Sequence, residues 1–199
     1  MSKRKTEFRR TQRLFHRLME AYATPPEMTV SEWADQYRML SPEASAERGR
    51  WRTDRAPYQR EIMDAVGDPR VERVVVKSSA QVGKTEILLN TIGYYMDYDP
   101  APMMYIQPTE GMAESFSKDR LSPMIRDCPV LAGKILDTSD KRKGNTTFHK
   151  SFPGGHITMI GANAPSKLAS RPIRVLLLDE VDRVPASAGR EGDPIALAV

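Results

Sequence analysis

The chain has 199 residues, with 30 Lys and Arg against 26 Asp and Glu for a net charge of +4, and 40% of its residues are hydrophobic. That suffices to bury a core of ordinary size, fits poorly with two complete enzymatic domains of about 100–200 residues each, and is neither low in complexity nor extreme enough in charge for wholesale disorder. The aliphatic runs at 74–76 and 175–178 fall far short of the about 20 residues of a membrane span, and no apolar run behind the basic amino terminus suits a signal peptide. Cys128 has no second cysteine to pair with, so neither an internal disulfide nor a thiolate zinc cluster is expected, and reducing cytoplasm suits the chain.

The charge is concentrated at the start. Lys3, Arg4, Lys5, Arg9, Arg10, Arg13 and Arg17 against Glu7 and Glu20 give residues 1–20 a charge of +5, which leaves −1 for the other 179. Phe8, Phe15, Leu18, Met19 and Tyr22 fall on one helical stripe of this leader, which predicts a basic amphipathic helix over 1–24 that stops at Pro25-Pro26. Such a helix can dock on a partner, touch nucleic acid phosphates, lie on an acidic surface, or pack on its own domain. A second unit runs from 25 to 57. In it Thr29 and Glu32 have capping-box spacing, with Trp33 and Tyr37 at i, i+4 on a short helix reaching about Met39. Residues 41–57 have no period, and set Arg48, Arg50, Arg52 and Arg55 around Trp51. Arginines around an aromatic suit a nucleic acid, but the favoured reading is an extended arm pinned by a buried Trp51.

From 58 to 199 the pattern alternates as in an α/β domain. A helix is expected over 58–66, a buried β-branched strand over 71–77, and a helix over 84–96 carrying Ile87, Leu88, Ile92, Tyr95 and Met96. A strand at 103–107 precedes a helical stretch at 110–126 that Pro123 should kink or restart. Two strands, 146–150 and 156–161, flank Pro153-Gly154-Gly155, and a last apolar strand covers 173–178. Lys141-Arg142-Lys143-Gly144 falls in a loop, read as a solvated turn with a DNA contact as the alternative.

Between the expected strand at 71–77 and the helix at 84–96 lies Ser78-Ser79-Ala80-Gln81-Val82-Gly83-Lys84-Thr85. This is the phosphate-loop pattern with its first glycine replaced by Ser78. Its chemistry needs backbone N–H groups curling around a phosphate at a helix N-terminus, Gly83 for close approach, Lys84 for the β- and γ-phosphates and Thr85 for Mg²⁺. About 95 residues on, RVLLLDEVD ends a buried strand in two carboxylates. Asp179 there suits a magnesium ligand and Glu180 a base for the attacking water, with Asp182 left as a solvated or capping group. Before the first body helix, Tyr58 can stack on adenine and Gln59 can pair with its edge, which favours ATP; the alternative is a helix entry with Tyr58 in the core. His16, His149 and His156 are not at ligand spacing on any one element, so metal catalysis by them is not expected.

The segments KSSAQVGKTE, MMYIQPTEGMAESFSKDRLSPMI and SRPIRVLLLDEVDRVPASAGREGDPIALA together resemble the ATPase domain of bacteriophage terminase large subunits of the lambda A-protein type, over about residues 30–199. The resemblance implies a P-loop NTPase fold of the RecA-like kind, with a mostly parallel sheet, and an ATP- and Mg²⁺-dependent motor that threads double-stranded viral DNA into a capsid in the host cytoplasm. It also implies a small terminase subunit bound through the amino-terminal segment, a portal on the procapsid, a homo-oligomeric working motor and a carboxy-terminal nuclease domain. Lys84, Thr85, Asp179 and Glu180 match the family's phosphate, magnesium and catalytic positions, and Tyr58-Gln59 its adenine element. Two departures stand out. Many terminases carry a γ-phosphate arginine inside the loop where this chain has Ala80-Gln81, so Arg171 becomes the candidate, with a salt bridge beside the core as the alternative. The strand with the coupling motif, which the resemblance places between the phosphate-loop strand and the acidic strand, would follow Val199, so the sheet is expected to lack a central strand. Other expectations compatible with these motifs are a different ATP-dependent DNA translocase or helicase, or an inactive truncated fragment that only binds partners.

Overall fold

The computed structural model describes residues 27–43, 45, 47–135, 145–164, 172–187 and 192–198. The leader at 1–24, the basic cluster at 141–144 and Arg171 lie outside the described residues.

Helix α1, Val30–Tyr37, begins at the expected cap. The Thr29 hydroxyl accepts from the Glu32 N–H, and the Glu32 carboxylate accepts from the Thr29 N–H at 2.8 Å, so each residue satisfies an amide the first turn leaves open. The apolar face of α1 turns inward. Trp33 is fully buried, its indole N–H donates to Asp97 at 2.7 Å, and its ring lies against Gly93. The connection that follows is not wholly irregular: β1, Met39–Leu40, pairs antiparallel with β2, Gly49–Arg50. Trp51 anchors it, buried and donating to the Thr53 hydroxyl at 3.0 Å, while Arg48, Arg50, Arg52 and Arg55 are exposed. Buried Arg38 ties this region to the body through Glu86 at 3.0 Å, and the Cys128 thiol sits 3.1 Å from the Met39 N–H.

The body contains α2, Tyr58–Gly67; α3, Lys84–Asp97; β3, Pro102–Gln107; α4, Glu110–Ser115; α5, Ser122–Asp127; and α6, Pro129–Ala132. A π turn, Phe116–Leu121, joins α4 to α5 just before Pro123. The ring nitrogen of Pro123 cannot extend a regular ladder, and the wider turn absorbs that mismatch. After it come β4, His149–Phe152; β5, Gly155–Gly161; β6, Val175–Leu178; and α7, Pro194–Ala198. β4 begins later than the sequence pattern suggests because Thr146 closes a turn, its N–H donating to the His149 carbonyl at 2.8 Å.

The main sheet has the order β4-β5-β3-β6, with β5, β3 and β6 parallel and β4 antiparallel to β5. The molecule is therefore a mixed α/β protein with a mostly parallel sheet. Side-chain alternation divides β3 between two cores. Met103 and Tyr105 join the large core containing Trp33, Ile87, Ile92 and Met96, whereas Met104 and Ile106 join a smaller one with Ile160 and Ala162.

One expected strand is absent. Residues 71–77 form no ladder, and Val75 is 80% exposed. The run Val74-Val75-Val76 has the composition of a strand, but a strand exists only where a neighbour accepts its hydrogen bonds. Among the described residues the sheet ends at β6, and no strand lies beside 71–77. No helix among the described residues is long and apolar enough to cross a membrane.

Candidate functional site

The turn into α3 is built by its backbone. Gln81 and Gly83 both take left-handed conformations, with φ of 59° and 78°, and these bring the chain round into a helix whose first N–H groups have no intrahelical acceptor. At Gly83 the need for glycine is double. Besides the positive φ, a β-carbon there would lie 2.5 Å from Gln59 Nε2. Gln59 is 2% exposed and its amide donates to the Val82 carbonyl at 3.0 Å; the Tyr58 hydroxyl donates to the same carbonyl, also at 3.0 Å. The two residues singled out for adenine thus brace the loop from beneath. Tyr58 is 57% exposed, so it is not the core residue of the alternative reading, and its ring presents a face to solvent. Lys84 and Thr85 open α3, half-buried, with Lys84 Nζ 3.5 Å from the Ser78 carbonyl. Ser78, Ser79 and Ala80 are exposed.

The acidic pair sits at the end of β6. The parallel register sets Tyr105 beside Leu177 and Ile106 beside Leu178, and the Asp179 N–H donates to the Ile106 carbonyl at 3.1 Å, so Gln107 and Asp179 follow as neighbours. Asp179 is 9% exposed, and three donors hold its carboxylate. Oδ2 accepts from the Tyr105 hydroxyl at 3.0 Å and from Gln107 Nε2 at 3.2 Å, and Oδ1 accepts from the Glu180 N–H at 3.0 Å. Burial first, and the neighbouring Asp179 carboxylate second, push the Tyr105 hydroxyl far above its ordinary range, which keeps it protonated as a donor. Glu180 is left-handed at φ 49°, an uncommon conformation for a residue with a side chain. Its carboxylate takes a salt bridge from Arg183 at 2.9 Å on the exposed side of the turn.

Each half of the predicted site is therefore assembled. Tyr58 and Gln59 meet the loop at 78–85, and Asp179 and Glu180 share the end of β6. No hydrogen bond or ion pair among the described residues joins one half to the other; Ile87 of α3 and Leu177 of β6 share the large core. Sequence reading passed over Tyr105, Gln107 and Arg183. The signal for the first two is alternation in Met-Met-Tyr-Ile-Gln, which puts Tyr105 and Gln107 on one face of a strand parallel to the acidic one. His149 and His156 do meet, on adjacent strands with ring centroids 5.2 Å apart, and His149 interacts with Thr158 and Ser151.

The class so defined is a mixed α/β domain whose glycine-lysine-threonine turn and strand-end carboxylates are candidates for a single nucleotide. The chain belongs to the family described as phage terminase large subunit gpA, ATPase domain, whose model matches residues 45–199. It is similar to the terminase large subunit of Escherichia phage lambda, 32% identical over 174 residues, and to that of Enterobacteria phage P21, 30% identical over 174 residues. Each match covers 87% of this chain and 27% of the relative, so the chain spans about a quarter of the length of these curated relatives. No solved structure matches the chain.

Proposed function

We propose that this chain forms the ATP-binding part of a viral DNA-packaging motor, with a P-loop fold of the RecA-like kind. The observation that carries the reading is the strained, glycine-dependent turn into α3 in a chain of this family. Lys84 and the open amides of the turn bind the phosphates, Tyr58 stacks on the base, and Gln59, whose Oε1 has no partner among the described residues, pairs with the adenine edge. Thr85 and Asp179 offer hard oxygen donors of the kind Mg²⁺ takes, and Gln107 Oε1, buried and without a partner among the described residues, leaves acceptor capacity beside Asp179. When bound, magnesium neutralises charge on the phosphates. Glu180 polarises the attacking water and receives its proton.

The RecA-like arrangement is supported by two features that face the same need: β6 with no second neighbour among the described residues, and the exposed apolar run at 71–77. One further strand lying between them would satisfy both, as the resemblance implies for the coupling segment. The motor acts on double-stranded DNA in the host cytoplasm as a homo-oligomer at a portal, with the small subunit docked on the leader at 1–24 and Arg171 serving the γ-phosphate. Capsid-dependent uptake tests this. The protein, assembled with small subunit and portal-bearing procapsids, is expected to render duplex DNA nuclease-resistant only when ATP is present. Unwinding of a blunt duplex without uptake favours a helicase, and Mg·ATP binding with no turnover in any assembly leaves a partner-binding fragment.

A further inference from the structure

We infer that Tyr105 and Gln107 are positioning residues that fix the carboxylate of Asp179 for the metal, an inference resting on the nucleotide-site reading above. A lone aspartate at a strand end can rotate and spread its charge over several orientations. Here both lone-pair positions of Oδ2 are taken, by the Tyr105 hydroxyl at 3.0 Å and the Gln107 amide at 3.2 Å, and Oδ1 accepts the Glu180 N–H at 3.0 Å. The capacity that remains is on Oδ1. Both side-chain donors are themselves immobilised. Tyr105 stacks on Phe116 with centroids 4.0 Å apart, and Gln107 Nε2 also donates to the Tyr105 oxygen at 2.5 Å. The orientation of the Gln107 amide is set by chemistry: turned over, its oxygen would face the carboxylate, and two acceptors would repel.

Gln107 Oε1, which has no partner among the described residues, carries the argument further. A buried acceptor with no donor destabilises a fold, and an apolar side chain of similar shape would remove that cost. Glutamine at 107 therefore carries a cost that its donor to the buried Asp179 carboxylate offsets, and that donor is what it supplies. Donors that hold a metal-ligating carboxylate in place typically alter metal affinity 10–100-fold when lost.

The test compares binding of ADP to the full chain by calorimetry with and without Mg²⁺, taking the ratio of the two affinities as the metal-linked factor. Tyr105→Phe keeps the ring stack and Gln107→Leu keeps the volume. Each is expected to lower the metal-linked factor about 10-fold and to leave metal-free affinity unchanged. An unchanged factor in both folded variants overturns the inference. Asp179→Asn separates this from failure of the underlying reading. If that variant retains the factor, or if the unsubstituted chain binds ADP with no metal dependence or not at all, the nucleotide site is wrong and the inference falls with it. If Asp179→Asn erases the factor while the other two keep it, only the positioning role is lost.

Discussion

Replacing Glu180 with Gln is expected to lower ATP turnover by about 10²–10⁴-fold, the usual contribution of a positioned general base, while nucleotide affinity stays the same. The amide keeps the size and shape of the carboxylate but cannot accept a proton at neutral pH. Binding is predicted to survive because the groups proposed to hold nucleotide and metal are elsewhere, on the turn at 78–85 and on Asp179. The partner of Glu180 does not obstruct the proposed role. Arg183 and Glu180 are 66% and 39% exposed at the side chain, and an exposed pair of this kind contributes only about 0–1 kcal/mol, so the carboxylate can leave it for an attacking water. Phosphate release measured beside calorimetric affinity separates the two effects, and undiminished hydrolysis in Glu180→Gln removes Glu180 from catalysis.

Gly93→Ala is expected to destabilise the fold, although helix propensity alone predicts the opposite. In the middle of α3, alanine is better than glycine by about 1 kcal/mol. Against that gain, a β-carbon at position 93 would lie 2.2 Å from the Trp33 ring, far inside contact distance. The indole has little freedom to yield. It is fully buried, its N–H is held by Asp97 at 2.7 Å, and Asp97 is in turn held by Lys134 at 2.5 Å. Overpacking of this kind costs about 1–3 kcal/mol and outweighs the propensity term when the ring cannot move. Net of the propensity gain, up to about 2 kcal/mol remains, which in a chain of this size corresponds to a melting-temperature loss of up to roughly 8 °C. Thermal unfolding measures it, and Trp33→Phe in the same background should recover part of the loss, since residues in contact are not additive. A melting temperature that rises in Gly93→Ala would show that the indole relocates.

What was legible in the sequence was whatever local chemistry decides. The Thr29–Glu32 box, the Lys84 helix start, the hairpin at Pro153-Gly154-Gly155 and the buried Trp51 are each settled by a few residues and their immediate neighbours. The misread strand at 71–77 shows the limit. Its valines specify an extended backbone, but pairing depends on a neighbour that the local pattern cannot supply. The candidate site divides in the same way. The turn at 78–85 and the pair Asp179-Glu180 are motifs along the chain, whereas Tyr105 and Gln107 reach Asp179 only through the β3–β6 register, at a separation of 72 to 74 residues. The same holds for Gln59. Its sequence position suggested a contact with the base, and only the fold reveals that its amide holds the Val82 carbonyl under the turn.

The buried thiol of Cys128 has a practical consequence. It is the only cysteine in the chain, it is fully buried, and its sulfur is 3.1 Å from the amide of Met39 in the short β1–β2 ribbon. A thiol-reactive dye can label the chain at this one atom and only when the packing over it opens, so labelling rates clock local opening around Cys128, where the ribbon meets the core. No residue need be engineered into the molecule for the measurement. The probe touches Met39, the neighbour of Arg38, which grips Glu86 next to Thr85, so one unmodified side chain can report whether a nucleotide at the α3 turn tightens or loosens the region in front of it.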